Sequence, residues 1–277
     1  APEAILSTLS EGSLVNFEKA SRIESKYFVQ LTTGKVSKNM MNAFWFQLNE
    51  INSGASRPTE IKATTTSKVG VLGAGLMGHG IAYVTALAGI EVVMTDANQD
   101  NAEKGFTRIK LILEGGLKRG LLTSEKMDEV LGRITATDDY NKLDGCDLII
   151  EAVFEDRELK GKVTNQTESI MAHTGVFASN TSTIPITSLS EKSSRPESFI
   201  GIHFFSPVHK MKLVEIIKGE KTSPATLAKA FDYALKIRKI PIIVNDSRGF
   251  YTSRVFERYT GEGMTLLVEG NHPQAIE

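Results

Sequence analysis

The sequence predicts an α/β protein built on a doubly wound, mostly parallel sheet, with a helical lead segment and the opening of a second helical domain. Three observations do so. Between residues 68 and 245, short apolar runs alternate with helical patterns. The runs are continuously apolar, as in strands buried on both faces. The first of them passes directly into a glycine-rich turn, Gly73-Ala74-Gly75-Leu76-Met77-Gly78, and then into a helical pattern.

The strand runs are Val69-Gly70-Val71-Leu72, Glu91-Val92-Val93-Met94-Thr95, Asp147-Leu148-Ile149-Ile150-Glu151 and Val176-Phe177-Ala178-Ser179. Three more follow: Phe199-Ile200-Gly201-Ile202, Leu213-Val214-Glu215-Ile216-Ile217 and Pro241-Ile242-Ile243-Val244. Helical patterns lie at 78–88, 101–119, 125–131 and 158–172. Before them, residues 14–52 carry apolar side chains at spacings of three and four. These are Phe17, Ala20, Ile23, Tyr27 and Leu31, then Met40, Ala43, Phe44, Leu48 and Ile51, with Gly34 as a helix stop between the two sets. The only tryptophan, Trp45, lies in this segment, whose aromatic residues are expected to pack on an apolar surface. Asn52-Ser53-Gly54-Ala55-Ser56-Arg57-Pro58 is a turn-rich break, and Thr64-Thr65-Thr66-Ser67 reads as an extended connection. The expected division is therefore a helical linker at 1–67, a nucleotide-binding domain at 68–247 and the start of a C-terminal helical domain at 248–277.

Composition narrows the function. Thirty-two Lys and Arg against 33 Asp and Glu give a formal net charge of −1 over 277 residues. Nucleic-acid binding needs a surplus of cations to displace counterions, so no nucleic-acid partner is expected. Cys146 is the only cysteine, which excludes an intrachain disulfide and a Cys-rich zinc site; no metal is expected. No apolar run approaches the roughly 18 residues of a membrane span. The start, Ala1-Pro2-Glu3, has no basic region of a secretory signal and no initiator Met, as in a processed or trimmed chain. A reducing, cytoplasmic location fits these features.

The turn is G-x-G-x-x-G in the context that gives it meaning, after a strand and opening a helix. Gly73 permits the tight turn, Gly75 lets backbone approach a pyrophosphate, and Gly78 lets the helix pack close. The pyrophosphate would sit at the helix N-terminus, where free N–H groups favour anions. Gly73, Gly75, Leu76, Met77 and Gly78 are thus the expected cofactor-binding residues of the turn. Asp96 ends the second strand at the spacing of a ribose-binding carboxylate and favours NAD over NADP. A flavin nucleotide, or a capped turn with no ligand, fits the same pattern. Further on, Ser179-Asn180-Thr181-Ser182-Thr183 and His203-Phe204-Phe205-Ser206-Pro207 each follow a strand, where open α/β sheets bind ligands. A histidine oriented by a carboxylate such as Glu215 is a poised general base.

Together GAGLMG, IIEAVFED, SNTST, GIHFFSP, MKLVEIIKG and VNDSRGFYTSR make residues 68–270 resemble 3-hydroxyacyl-CoA dehydrogenase, as found in multifunctional fatty-acid β-oxidation enzymes. The resemblance implies a Rossmann-like domain of six parallel strands with a short reversed extension, and NAD-dependent oxidation of an L-3-hydroxyacyl-CoA to the 3-ketoacyl-CoA. It implies His203 as catalytic base, Glu215 as its partner and Ser182 as the serine that bonds the reacting oxygen. Glu155, Lys160 and Asn180 correspond to cofactor contacts. Ser253 stands where the family often has Asn in G-F-x-x-N-R. The substrate implied is an acyl-CoA thioester, whose phosphates Lys104, Lys110 or Lys118 could meet.

The lead segment, through Ser21-Arg22-Ile23-Glu24-Ser25-Lys26-Tyr27-Phe28 and Lys38-Asn39-Met40, resembles the end of an enoyl-CoA hydratase domain. The chain thus reads as an internal piece of a longer protein with a hydratase domain and a thiolase subunit as partners. Two other functions compete: an NAD-binding module inactive as truncated, and a β-hydroxyacid dehydrogenase of another family, which would need a catalytic Lys after a Gly-rich segment.

Overall fold

The computed structural model describes residues 1–277, which divide into two compact units, 1–55 and 56–277. In the first, α1 (Pro2–Gly12) and α2 (Phe17–Thr33) pack as neighbours. The chain continues through α3 (Lys35–Met41), a π-helical stretch (Asn42–Gln47) and α4 (Leu48–Asn52). α1 is a helix that the sequence reading did not include. Gly34 does end α2, but with φ −70° it is extended rather than left-handed, and it doubles as the residue that starts α3. None of these helices buries a residue, and Phe17 and Trp45 stand exposed.

The second unit is a single eight-stranded sheet with helices on both faces. Its elements run β1 (Lys68–Leu72), α5 (Gly78–Leu87), β2 (Glu91–Thr95), α6 (Gln99–Lys118), α7 (Ser124–Gly132), β3 (Ile134–Thr137) and β4 (Leu148–Glu151). Then come α8 (Arg157–Glu168), β5 (Val176–Ser179), α9 (Ile186–Ser190), β6 (Phe199–Phe204) and β7 (Leu213–Lys218). The unit ends with α10 (Pro224–Lys236), β8 (Ile240–Asn245), α11 (Thr252–Val268) and α12 (Pro273–Ile276). The strand order is β3-β2-β1-β4-β5-β6-β7-β8. β1 to β6 are parallel; β7 runs antiparallel to β6, and β8 parallel to β7. The order reverses between β1 and β4, and such a switch point opens a crevice at the carboxyl ends of the strands.

Alternate residues of each strand feed two cores, as the period of two requires. Val69, Val71, Leu148 and Ile150 belong to one layer, with Ile81, Ile109 and Phe231 of α5, α6 and α10 among the residues that fill it. Leu72, Ile149, Phe177 and Phe199 belong to the other, with Val163 of α8 and Leu189 of α9; the two Phe rings stack at 5.4 Å. β3, α9 and α10 escaped the sequence reading. β3 is an edge strand in which only Ile134 is buried, so it has no apolar run to betray it. α10 announces itself by Ser223-Pro224, a capping serine that accepts from the Thr226 amide followed by a proline at the first turn. Its buried Leu227, Ala230, Phe231 and Ala234 keep the spacing of one helical face.

The first compact unit ends at Ala55, and residues 56–67, which lead into β1, are fastened to the sheet unit. Arg57 forks onto both carboxylate oxygens of Asp232 on α10, at 2.6 and 2.9 Å, and also holds the carbonyls of Pro58, Ile61 and Lys62. The Thr64 amide and hydroxyl bond the same Asp232, and Ser67 bonds Asp147. A groove of about 490 Å³ lies between residues 63–66 and α10. Charge-assisted bonds of this kind contribute about 1.5–3 kcal/mol when a partner is removed. Arg57→Ala is therefore expected to lower the unfolding free energy by about 2 kcal/mol, measured by urea denaturation; an unchanged midpoint would deny the strap any stabilising role.

Candidate functional site

The crevice is framed first by the glycine turn. β1 ends at Leu72, and Gly73 then takes φ +94°, where a Cβ would come within 2.7 Å of the Ala152 carbonyl. At Gly78 a Cβ would lie 1.6 Å from the Gly73 carbonyl oxygen, so α5 can start this close to the turn only with glycine there. Around Gly75 nothing lies within 4 Å of the place a Cβ would take: the turn keeps an open, side-chain-free face at the start of a helix. This is the cradle a pyrophosphate requires, and the residues present fit a dinucleotide. Met77 lines the adjoining cleft, and Leu76 stands exposed on the turn.

Asp96 follows β2. Its carboxylate accepts from the Ala74 amide at 2.7 Å, from the Ala97 amide at 2.8 Å and from the Asn101 side chain at 3.2 Å. It thus ties the glycine turn to the start of α6, but it is not that helix's cap; Asn98 is. Lys104, Lys110 and Lys118 lie exposed on α6.

On the other side of the crevice, a cleft of about 360 Å³ brings together Met77, Glu155, Lys160, Asn180, Ser182 and His203. Lys160 is no surface residue: it is 2% exposed, with its ammonium 2.9 Å from both oxygens of Glu151 and 3.1 Å from Glu155. Glu151, the fully buried last residue of β4, was not singled out from the sequence; a lone carboxylate closing an apolar strand run is the signal that marks it. It also accepts from Ser179 at the end of β5. Glu155 accepts from the Thr181 hydroxyl, the Ser182 amide at 3.3 Å and the Thr183 hydroxyl at 3.2 Å. Burial pushes the Glu155 carboxyl up, but Thr181, the Lys160 ammonium and the Ser182 amide outweigh it and hold it below the usual carboxylate range. Asn180 accepts from the Phe204 amide at 2.9 Å, which fixes the end of the strand bearing His203.

His203 and Glu215 face each other as register partners across the antiparallel β6–β7 pair. His203 is 7% exposed, and its Nδ1 lies 2.7 Å from Glu215 Oε2. A carboxylate there can only accept, so in the neutral ring Nδ1 carries the proton and Nε2 keeps its lone pair. Phe205 lies against the imidazole with ring centroids 4.5 Å apart. The other oxygen of Glu215 accepts from the backbone amides of Tyr251 and Thr252, at 3.1 and 2.8 Å, where α11 begins. Ser253, the next residue, makes no hydrogen bond to either member of the pair and does not line the cleft. The Gly249–Arg254 stretch reaches the pair through main-chain donors, which side-chain motifs do not reveal. Cys146 is buried, and burial pushes its thiol up to about 12, so it offers no thiolate at neutral pH.

Burial alone would raise the Glu215 carboxyl, but hydrogen bonds from His203 and the Thr252 amide reverse the sign and leave it below its ordinary value. A carboxyl whose folded pKa is depressed stabilises the fold above its unfolded pKa, and the contribution is lost as pH falls through the folded value. Urea unfolding between pH 6 and 3 should therefore show a steeper loss of stability in the native chain than in Glu215→Gln. Equal slopes would mean that the carboxylate is not held in its charged form.

Comparison with known proteins agrees with this geometry. Residues 68–247 match the family model of the 3-hydroxyacyl-CoA dehydrogenase NAD binding domain. A fatty acid oxidation complex subunit alpha from Idiomarina loihiensis is 40% identical over 271 residues, 98% of this chain but 38% of that protein, so the chain spans less than half of that relative. Among solved structures, the (S)-3-hydroxybutyryl-CoA dehydrogenase of Ralstonia eutropha superposes with a TM-score of 0.74 at 37% identity, covering 76% of this chain and 75% of that one. A 3-hydroxybutyryl-CoA dehydrogenase of Escherichia coli gives a TM-score of 0.72 at 32% identity, over 74% of this chain and 44% of its own. With the glycine cradle, the switch-point crevice and the matched residues in agreement, the chain belongs to the 3-hydroxyacyl-CoA dehydrogenase family through its NAD-binding domain.

Proposed function

We propose that the chain carries the NAD-dependent dehydrogenase step of fatty-acid β-oxidation, oxidising an L-3-hydroxyacyl-CoA to the 3-ketoacyl-CoA, with His203 as the base. The observation that carries the reading is the His203–Glu215 pair at 2.7 Å, with His203 on the same cleft as Met77 of the glycine turn. NAD, when bound, supplies the acceptor for the hydride that leaves C3. His203 Nε2 takes the C3 hydroxyl proton as that hydride leaves. Glu215, kept ionised by the start of α11, stabilises the imidazolium that forms and holds the ring in the required tautomer. Ser182 lines the cleft with a hydroxyl that can bond the substrate oxygen. Glu155, Lys160 and Asn180 order the end of the cleft where the nicotinamide half would lie, and Gly73, Gly75, Met77, Gly78 and Asp96 hold the dinucleotide. Ser253 has a supporting place at most, because Glu215 is served by the two amides before it.

In this reading the full-length protein joins the domain to an enoyl-CoA hydratase domain and works with a thiolase subunit, in the cytoplasm. Support comes from the 98% coverage of this chain by a fatty acid oxidation complex subunit alpha. No helix is long and apolar enough to cross a membrane.

His203→Gln should lower kcat for acetoacetyl-CoA reduction by about 10²–10⁴, the usual worth of a general acid–base, with NADH affinity within about twofold by fluorescence titration. A variant that keeps most of its rate removes His203 from the chemistry. A native chain that binds NADH but reduces nothing leaves an NAD-binding module instead. Asp96→Ala should weaken NAD binding and narrow the preference over NADP, since the carboxylate repels a 2′-phosphate; an unmoved ratio of the two affinities would take Asp96 out of cofactor selection.

A further inference from the structure

We propose that Lys239 is a positioning residue for the His203–Glu215 pair, clamping the turn that follows His203 against the cofactor-binding side of the sheet. The inference rests on the dehydrogenase reading above. Lys239 lies between α10 and β8 and is 6% exposed. Its ammonium forms no ion pair with any carboxylate. Instead it donates to two backbone carbonyls, that of Val208 and, at 2.6 Å, that of Met211. A buried ammonium with only neutral partners is costly to the fold. Such a group calls for a reason beyond stability, and the segment it holds supplies one.

That segment is already a closed turn. The amides of Lys210 and Met211 donate to the Pro207 carbonyl at 2.9 and 3.1 Å. Lys239 supplies the only side-chain hydrogen bonds to the backbone of residues 205–212. The turn touches both halves of the site. At its start, Phe205 packs on the imidazole and, with Ser206, walls the cleft. At its crest, buried Val208 presses on α5 at Gly80, where a Cβ would come 2.8 Å from the Val208 Cβ. Beside it, His209 meets Tyr83 of α5 edge-on, with centroids 6.2 Å apart. α5 is the helix that opens at the glycine turn. One short piece of backbone thus spans from the dinucleotide helix to the flank of the base, and one ammonium fastens it. Misplacing a reacting group by about 1 Å lowers rate by up to about a hundredfold; a slack turn would do this without touching the cofactor's own contacts.

The test uses two variants of the whole chain. Lys239→Met keeps the side-chain length and removes the donors; Lys239→Gln keeps two N–H donors without the charge. In Lys239→Met, amide hydrogen exchange of peptides spanning 205–212 should quicken about tenfold or more. Its kcat for acetoacetyl-CoA reduction should fall about tenfold, with KM and NADH affinity within about twofold. Lys239→Gln should recover most of both losses. Unchanged exchange in Lys239→Met overturns the clamp. Quickened exchange with undiminished kcat overturns its service to the dyad. If Lys239→Met does not fold, Lys239→Gln decides: native exchange and rate support donation to the carbonyls, and loss of both in a folded variant overturns it. A native chain without turnover refutes the dehydrogenase reading, while the exchange comparison still judges the clamp.

Discussion

The site depends on one reversal of direction. Six strands run parallel, and each delivers its last residue to the same edge of the sheet. Had β7 joined them by another crossover, a helix-length connection would stand in place of the short turn at 205–212. Because β7 turns back antiparallel, His203 and Glu215 become register partners, and their side chains share one face at hydrogen-bonding distance. The geometry of the pair is therefore fixed by backbone pairing over four residue pairs, not by the side chains finding each other.

The opposite wall of the crevice is ordered by charge. Glu151, Lys160 and Glu155 form a chain of alternating sign, anchored at its buried end by Ser179 and at its open end by the Thr181 and Thr183 hydroxyls and the Ser182 amide. Breaking such a buried pair leaves an uncompensated charge, which is far costlier than the pair's net contribution. The chain of groups therefore has few alternative arrangements. That is how residues from a strand end, a helix and a loop hold fixed positions beside a ligand-sized space.

Much of this architecture was legible in the sequence, for identifiable reasons. Six of the strand runs were visible because burial on both faces makes them continuously apolar, β8 because Ile242, Ile243 and Val244 keep an apolar run even at a half-buried edge, and the glycine turn because its tight backbone approaches demand glycine. β3 was not, since two of its four residues are threonines and only Ile134 is buried, and α1 was passed over although Pro2 at its first position and Glu3 in its first turn mark a helix start. At the site, His203, Glu215, Glu155 and Lys160 carry side-chain chemistry that motifs can register. The Tyr251 and Thr252 amides, and the carbonyls held by Lys239, are main-chain groups that nearly every residue possesses, so no residue type could disclose them. Lys160 shows the complementary limit: a lysine in a helix pattern looks solvated until the strand beside it is known to end in a carboxylate.

The seating of Glu215 on the opening amides of α11 has a consequence for how the chain keeps its reactivity. Those N–H groups are the ones a helix leaves without internal partners, so the carboxylate completes the helix as much as the helix completes the carboxylate. Fraying of that first turn would strip two donors from an anion sealed off from solvent, and the anion would draw its proton more tightly in answer. Local melting at the edge of the unit is thereby translated into a change of acidity at its centre.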